Sequence, residues 1–158
     1  EGRPDDPALK AQVEVAEKGL IDARLVEYGR RVKEHPLDLG ERYKLGRTLL
    51  AAGRVEEATA EFQQTVRDPN RKIDSLMLLA RCFEESKLPG LALKKVEEAV
   101  ADFPSLASPK AKDVHYAHAD LLARTGQEAR AREIFERLYE EDITYRDVAQ
   151  RLKQLATA

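Results

Sequence analysis

His115 and His118 stand three residues apart, with Asp113 and Asp120 close by on either side. On a helix, residues at i and i+3 share a face, so this pair has a spacing that two metal ligands can use. His118 falls at a position that reads as core, and no second ligand cluster exists elsewhere in the chain. Packed histidines with one hydrogen bond are therefore the expectation, and metal binding is not. The runs Glu56-Glu57, Glu97-Glu98 and Glu140-Glu141-Asp142 offer paired carboxylates for acid–base work. Adjacent residues on a helix point about 100° apart, so these pairs do not converge and read as solvated faces. Cys82 lacks a nucleophile signature and reads as a half-buried small hydrophobe with a minor redox capacity. There is no Gly-rich phosphate loop, no G-x-S-x-G and no H-E-x-x-H. No catalytic residue, no metal and no cofactor is expected.

Composition narrows the classes further. The 158 residues are 42% apolar and 35% charged, enough for a buried core under a well-hydrated surface. Ala, Leu, Glu, Lys and Arg dominate, which favours helices over sheet. With 27 basic and 29 acidic residues the net charge is −2, which argues against a nucleic acid or an anionic membrane as partner. Single-stranded RNA would need a basic stripe, and acidic residues dilute every candidate helix. No apolar run approaches the roughly 20 residues of a membrane span. One cysteine excludes an internal disulfide framework and fits a reducing, cytoplasmic location. The chain starts at Glu1 and reads as an excised or processed piece, which leaves room for a targeting segment or partner domain outside it.

The elements that would position any site follow from periodicity and punctuation. Residues 1–7 are polar and Pro-rich and read as a flexible N-terminal segment. Residues 8–38 read as a degenerate helical pair or partial repeat, interrupted at Gly19 and ended by Pro36. Ile21, Leu25, Tyr28 and Val32 fall on one helical face there. From Leu39 a pattern recurs. Leu45-Gly46, Leu49, Ala58 and Phe62 are followed 34 residues later by Leu79-Ala80, Phe83, Ala92 and Val96. A third copy, shifted by a further 39, has Ala119, Leu122, Ala131 and Phe135, with His118 in place of Leu. A fixed period of this size is the mark of stacked helical pairs. The expected repeats are 39–70, 73–104 and 112–143, with turns at Gly53, Pro89 and Thr125-Gly126. Ser108-Pro109 reads as an N-cap and first-turn proline inside a linker about five residues too long for the period. Residues 144–158 read as a C-terminal capping helix, opened by Thr144 with Asp147 in a capping box.

These residues resemble the tetratricopeptide repeat family. Repeat one carries the resemblance at Leu45, Gly46, Leu49, Gly53, Ala58, Phe62 and Pro69. Repeat two does so at Leu76, Leu79, Ala80, Phe83, Ala92, Val96, Ala99 and Pro104, and repeat three at Ala119, Leu122, Gly126, Ala131 and Phe135. Gly19, Tyr28 and Pro36 stand in register for a degenerate zeroth repeat. The resemblance implies an all-α fold, a right-handed α-α superhelix of antiparallel helix pairs with a C-terminal capping helix. It implies a non-catalytic interaction scaffold, part of a larger bacterial protein, that docks a partner peptide or helix in a concave groove lined by the first helix of each pair. Carried onto this sequence, the groove positions are Tyr43, Arg47 and Leu50, then Met77, Arg81 and Glu84, then Tyr116, Asp120 and Arg124. Tyr and Arg are frequent interface anchors and Met adapts to several partners. The Lys and Asn of the family's chaperone adaptors, which clamp a terminal carboxylate, are replaced here by Tyr43, Arg47 and Leu78. An Arg47 and Arg81 pair still offers bidentate hydrogen bonds to one acidic side chain. The rival roles are weak self-association through apolar surface near Leu20, Ile21 and Leu25, and an accessory domain that places a catalytic domain outside these residues.

Overall fold

A computed structural model describes residues 6–156, and every helix and side chain discussed below lies within that range. The part of the flexible-segment expectation that falls on residues 1–5 lies outside the described residues. Asp6 and Pro7 are already ordered: the Asp6 side chain accepts from the Ala8 amide at 2.9 Å and Pro7 opens the first helix.

Two compact units divide the chain between Ser75 and Leu76. The first holds α1 (Pro7–Glu34), α2 (Leu39–Ala51), α3 (Val55–Thr65) and the opening turn of α4 (Lys72–Glu85). Within it, α1 packs on α2 and α2 on α3. The second holds the rest of α4, then α5 (Pro89–Val100), α6 (Pro109–Arg124), α7 (Glu128–Glu141) and α8 (Val148–Ala156). Here α5 packs on α6, α6 on α7 and α7 on α8. No strand occurs among the described residues.

The helix boundaries follow local chemistry. Asp38 caps α2 by accepting from the Glu41 amide at 3.0 Å, and Ser108 caps α6 by accepting from Ala111 at 3.1 Å. Gly53 and Gly126 take φ of +74° and +80° just past the ends of α2 and α6, a backbone region cheap only for glycine. In the first unit, Ala58 and Phe62 are fully buried, and Gly46 lets α3 approach α2 so closely that a Cβ there would meet Phe62 at 2.9 Å. A buried hydroxyl pair, Thr65 and Ser75 at 2.7 Å, ties the end of α3 to the start of α4. In the second unit, Ala119, Leu122, Ala131, Phe135, Leu138 and Val148 form one core and Ala80, Ala92, Val96 and Leu121 another.

Three expectations change. Residues 7–34 form one continuous helix, not a helical pair. Gly19 costs about 1 kcal/mol relative to Ala, too little to break a run of good helix formers, and no neighbouring atom lies near it. The last helix begins at Val148, not Thr144. The Thr144 hydroxyl and amide both donate to Asp142 Oδ1, at 2.8 and 3.1 Å, and Arg146 takes a φ of +46°, so the chain turns before it coils. Cys82 is fully buried, not half-buried. The long linker, meanwhile, contributes to packing: Leu106 is buried in the core beside Ala119 and Phe135.

Candidate interaction surface

Repeats one and three place the same residue types on the same face. Tyr43 on α2 and Tyr116 on α6 are 73 positions apart, the summed repeat spacing, as are Phe62 and Phe135. Each tyrosine stands edge-on to its phenylalanine, at 6.0 Å and 63° in the first unit and 5.7 Å and 70° in the second. Such contacts hold the rings in place while leaving one edge of each tyrosine half exposed.

In the first unit the neighbours of Tyr43 are cationic. The Arg71 guanidinium lies 5.2 Å from the ring centroid and that of Arg47 6.0 Å. Arg47 is exposed and borders an open cleft of about 320 Å³ between α1 and α2. Arg24 and Tyr28 line it from α1, and Lys44, Arg47 and Thr48 from α2. Lys44 is paired with Glu41 at 2.6 Å. No carboxylate of the described residues pairs with Arg24 or Arg47. The cleft therefore presents positive charge with little internal neutralisation, beside an aromatic ring and the apolar edge of Ile21. Leu50, expected on the groove face, is only 7% exposed. It lies one turn beyond Gly46 and joins the buried stripe of α2, which removes it from any binding face.

In the second unit the corresponding face is already occupied. Tyr116 donates to Asp147 Oδ1 at 2.5 Å, stands 6.1 Å from the Tyr145 ring, and carries the Arg146 guanidinium 4.7 Å from its centroid. Asp120 accepts from Arg124 Nε at 2.9 Å and also pairs with Arg151 of α8. Arg124 reaches on to Glu84 of α4. Lys112 meets Asp142 at 3.1 Å, and Asp113 accepts from both Tyr145 and Arg146. Four successive acceptors and donors of α6 are thus matched by the segment from Asp142 to Arg151. The pKa directions agree: the Thr144 hydroxyl and Lys112 hold Asp142 below its ordinary value, and burial with the Asp113 contact pushes Tyr145 above its own. Met77 is half buried against Ala80, Ala92, Val96 and Leu121, and Arg81 is exposed but paired with Glu85 at 3.0 Å. Of the six expected residues of this unit, Glu84, Tyr116, Asp120 and Arg124 are matched with one another or with the C-terminal segment, whereas Met77 packs on the core and Arg81 pairs along its own helix.

The histidines serve packing. His115 Nε2 lies 2.9 Å from the Phe103 carbonyl. His118 is 7% exposed, neither ring nitrogen has a hydrogen-bond partner, and Glu97 of α5 stands 3.6 Å away. Burial lowers its pKa, against the opposing pull of Glu97. Among the described residues no three His, Cys, Asp or Glu side chains are grouped to hold a metal ion, and no helix is long and apolar enough to cross a membrane.

Arg24, Tyr28 and Lys44 were not legible as site residues. Arg24 and Tyr28 stand at i and i+4 on α1; the zeroth-repeat register includes Tyr28 but marks neither as a ligand contact, because the cleft exists only where α1 meets α2.

Comparison with known proteins agrees with this architecture. The sequence model described as tetratricopeptide repeat matches residues 43–107 and 89–145. No curated protein matches. Among solved structures, the chain is similar to MamA, with 17% identity over 91% of this chain and 81% of that one and a TM-score of 0.73. It is similar to a putative kinesin light chain of Podosopora anserina with nearly identical TPR-like repeats, with 22% identity over 97% and 88% and a TM-score of 0.72. It is also similar to YrrB, described as a TPR protein with an unusual peptide-binding site, with 17% identity over 90% and 71% and a TM-score of 0.69.

Proposed function

The chain belongs to the tetratricopeptide repeat family, and from that premise we propose that it is a non-catalytic scaffold that docks an acidic peptide or helix on its first unit. The family and the likeness to a peptide-binding protein such as YrrB support a protein-interaction role. The observation that carries the finer reading is the α1–α2 cleft, where Arg24 and Arg47 stand without acidic partners beside Tyr28 and Lys44. Guanidinium groups hold carboxylates by paired, charge-assisted hydrogen bonds, and Tyr supplies contact area at low entropic cost. Tyr43 extends the same face along α2. In the second unit Met77 and Arg81 offer a smaller exposed contact. Glu84, Tyr116, Asp120 and Arg124 are internally matched, so a ligand there must displace existing pairs. Leu50 has no part in this reading.

Fluorescence anisotropy tests it, with a labelled peptide of alternating Leu and Glu against a Leu and Lys control. The acidic peptide is expected to bind, more weakly as salt rises, and the basic one not to bind. An Arg24→Glu/Arg47→Glu double variant is expected to lose at least about tenfold in affinity, while an Asp120→Asn variant keeps it. Equal binding of both peptides, or no loss in the double variant, overturns the cleft assignment.

A further inference from the structure

The first half of α1 is exposed along its whole length. Every residue from Pro7 to Leu20 is exposed, and Leu9, Val13 and Leu20 keep 48%, 48% and 51% of their surface. The half that packs on α2 uses another face: Ile21, Leu25 and Tyr28 are half buried and Val32 buried. At 100° per residue, the Leu9, Val13, Ala16 and Leu20 stripe points roughly 120° away from that face. Fourteen exposed helical residues are marginal in water by themselves, so a cover over the stripe would add to their order.

The stripe has the geometry of a two-helix seam. Leu9, Val13, Ala16, Leu20 and Ala23 recur at steps of four, three, four and three, which are the d and a positions of a heptad. We propose that a second copy of this chain covers it, through antiparallel pairing of the two α1 N-terminal halves. The seam is self-complementary in that direction: Leu9 faces the partner's Leu20, and Val13 the partner's Ala16, large residues at the ends and small ones at the centre. Its flank is complementary too. Lys10 and Glu17 occupy successive positions after Leu9 and Ala16, so antiparallel copies set each Lys10 beside the partner's Glu17, twice over. A parallel pair leaves Lys10 and the partner's Glu17 one heptad apart and makes no Lys10–Glu17 contact. The packed part of each copy begins at Ile21, where the partner's helix runs out, so the two bodies lie at opposite ends of the seam.

Such a seam is short, about 21 Å of helix. It buries well under the roughly 800 Å² per partner of a standard interface, so the dimer is weak and concentration-dependent. The seam is distinct from the α1–α2 cleft, so its test is independent of peptide binding.

Sedimentation velocity from about 5 to 500 µM decides it. The wild type is expected to shift from monomer to dimer, and Leu9→Asp/Leu20→Asp to remain monomeric with an unchanged melting temperature. Lys10→Glu alone and Glu17→Lys alone are each expected to weaken the dimer at low salt, and an equimolar mixture of the two to restore it, because the mixed pair regains both contacts. A wild type that stays monomeric throughout overturns the proposal and leaves the stripe to a different chain. A dimer that survives Leu9→Asp/Leu20→Asp, or single variants that fail to complement, overturns the seam or its direction.

Discussion

Repeats one and three begin from one plan and end in opposite states. Both set a tyrosine edge-on against a buried phenylalanine, Tyr43 on Phe62 and Tyr116 on Phe135. One turn later, repeat one places Arg47 and repeat three Asp120. Arg47 faces an open cleft with Arg24, whereas Asp120 is held between Arg124 and Arg151. The tertiary neighbour makes the difference. The segment from Asp142 to α8 folds across α6 and matches its polar groups, whereas among the described residues no carboxylate pairs with Arg47 of α2. A repeat position is therefore open to a ligand only where the chain leaves it unmatched.

The buried halves of the two repeats should respond alike. Phe62→Ala and Phe135→Ala are each expected to cost about 3–5 kcal/mol in denaturant unfolding, because both rings are fully buried. A much smaller loss in one would mean that its core collapses around the cavity. The small-residue positions sharpen the contrast. Gly46→Ala places a methyl 2.9 Å from Phe62, an overpacking of about 1–3 kcal/mol that exceeds the helix-propensity gain of about 1 kcal/mol. At the matching position of repeat three, Ala119→Gly is expected to cost about 1 kcal/mol. Both variants should thus melt below the wild type, and a more stable Gly46→Ala would show that Phe62 has room to move.

The exposed halves should diverge. Asp120→Ala removes two partly exposed ion pairs and is expected to cost about 1 kcal/mol, and Arg47→Ala to stay within about 0.5 kcal/mol. Equal costs would erase the distinction between a matched and an open face. The smallest effect is a pH slope. His118 has a lowered pKa in the folded state because it is buried, so the unfolded chain binds the proton more readily. Stability is then full above about pH 6.5 and declines as pH falls below it. His118→Leu, which restores the Leu of the other repeats, should flatten that slope in chemical denaturation at pH 5 to 8. An unchanged slope would move its origin to other groups.

Much of the fold was legible because repeated small and apolar residues report backbone approach directly. Gly46, Ala58, Ala80, Ala92, Ala119 and Ala131 were readable as close contacts, and all are buried. Gly53 and Gly126 marked turns because a positive φ is costly for any other residue. Boundaries ruled by competing side-chain bonds were less legible. Thr144 looked like a cap, but Asp142 takes its hydroxyl and amide. Leu50 looked like a groove residue from register alone, which does not state how wide a buried stripe is.

What the sequence determined by itself was the class of the molecule: stacked helices in a repeating pattern under a mixed-charge surface. These follow from residue type and spacing, which act within a turn or a pair of helices. Which polar groups are matched was decided by tertiary structure alone. The closure of α6 by the Asp142–Arg151 segment and the open Arg24 and Arg47 cleft both depend on residues remote in sequence. A charged side chain is neutral, buried or available according to what stands a few ångströms away, and only the folded chain sets that distance.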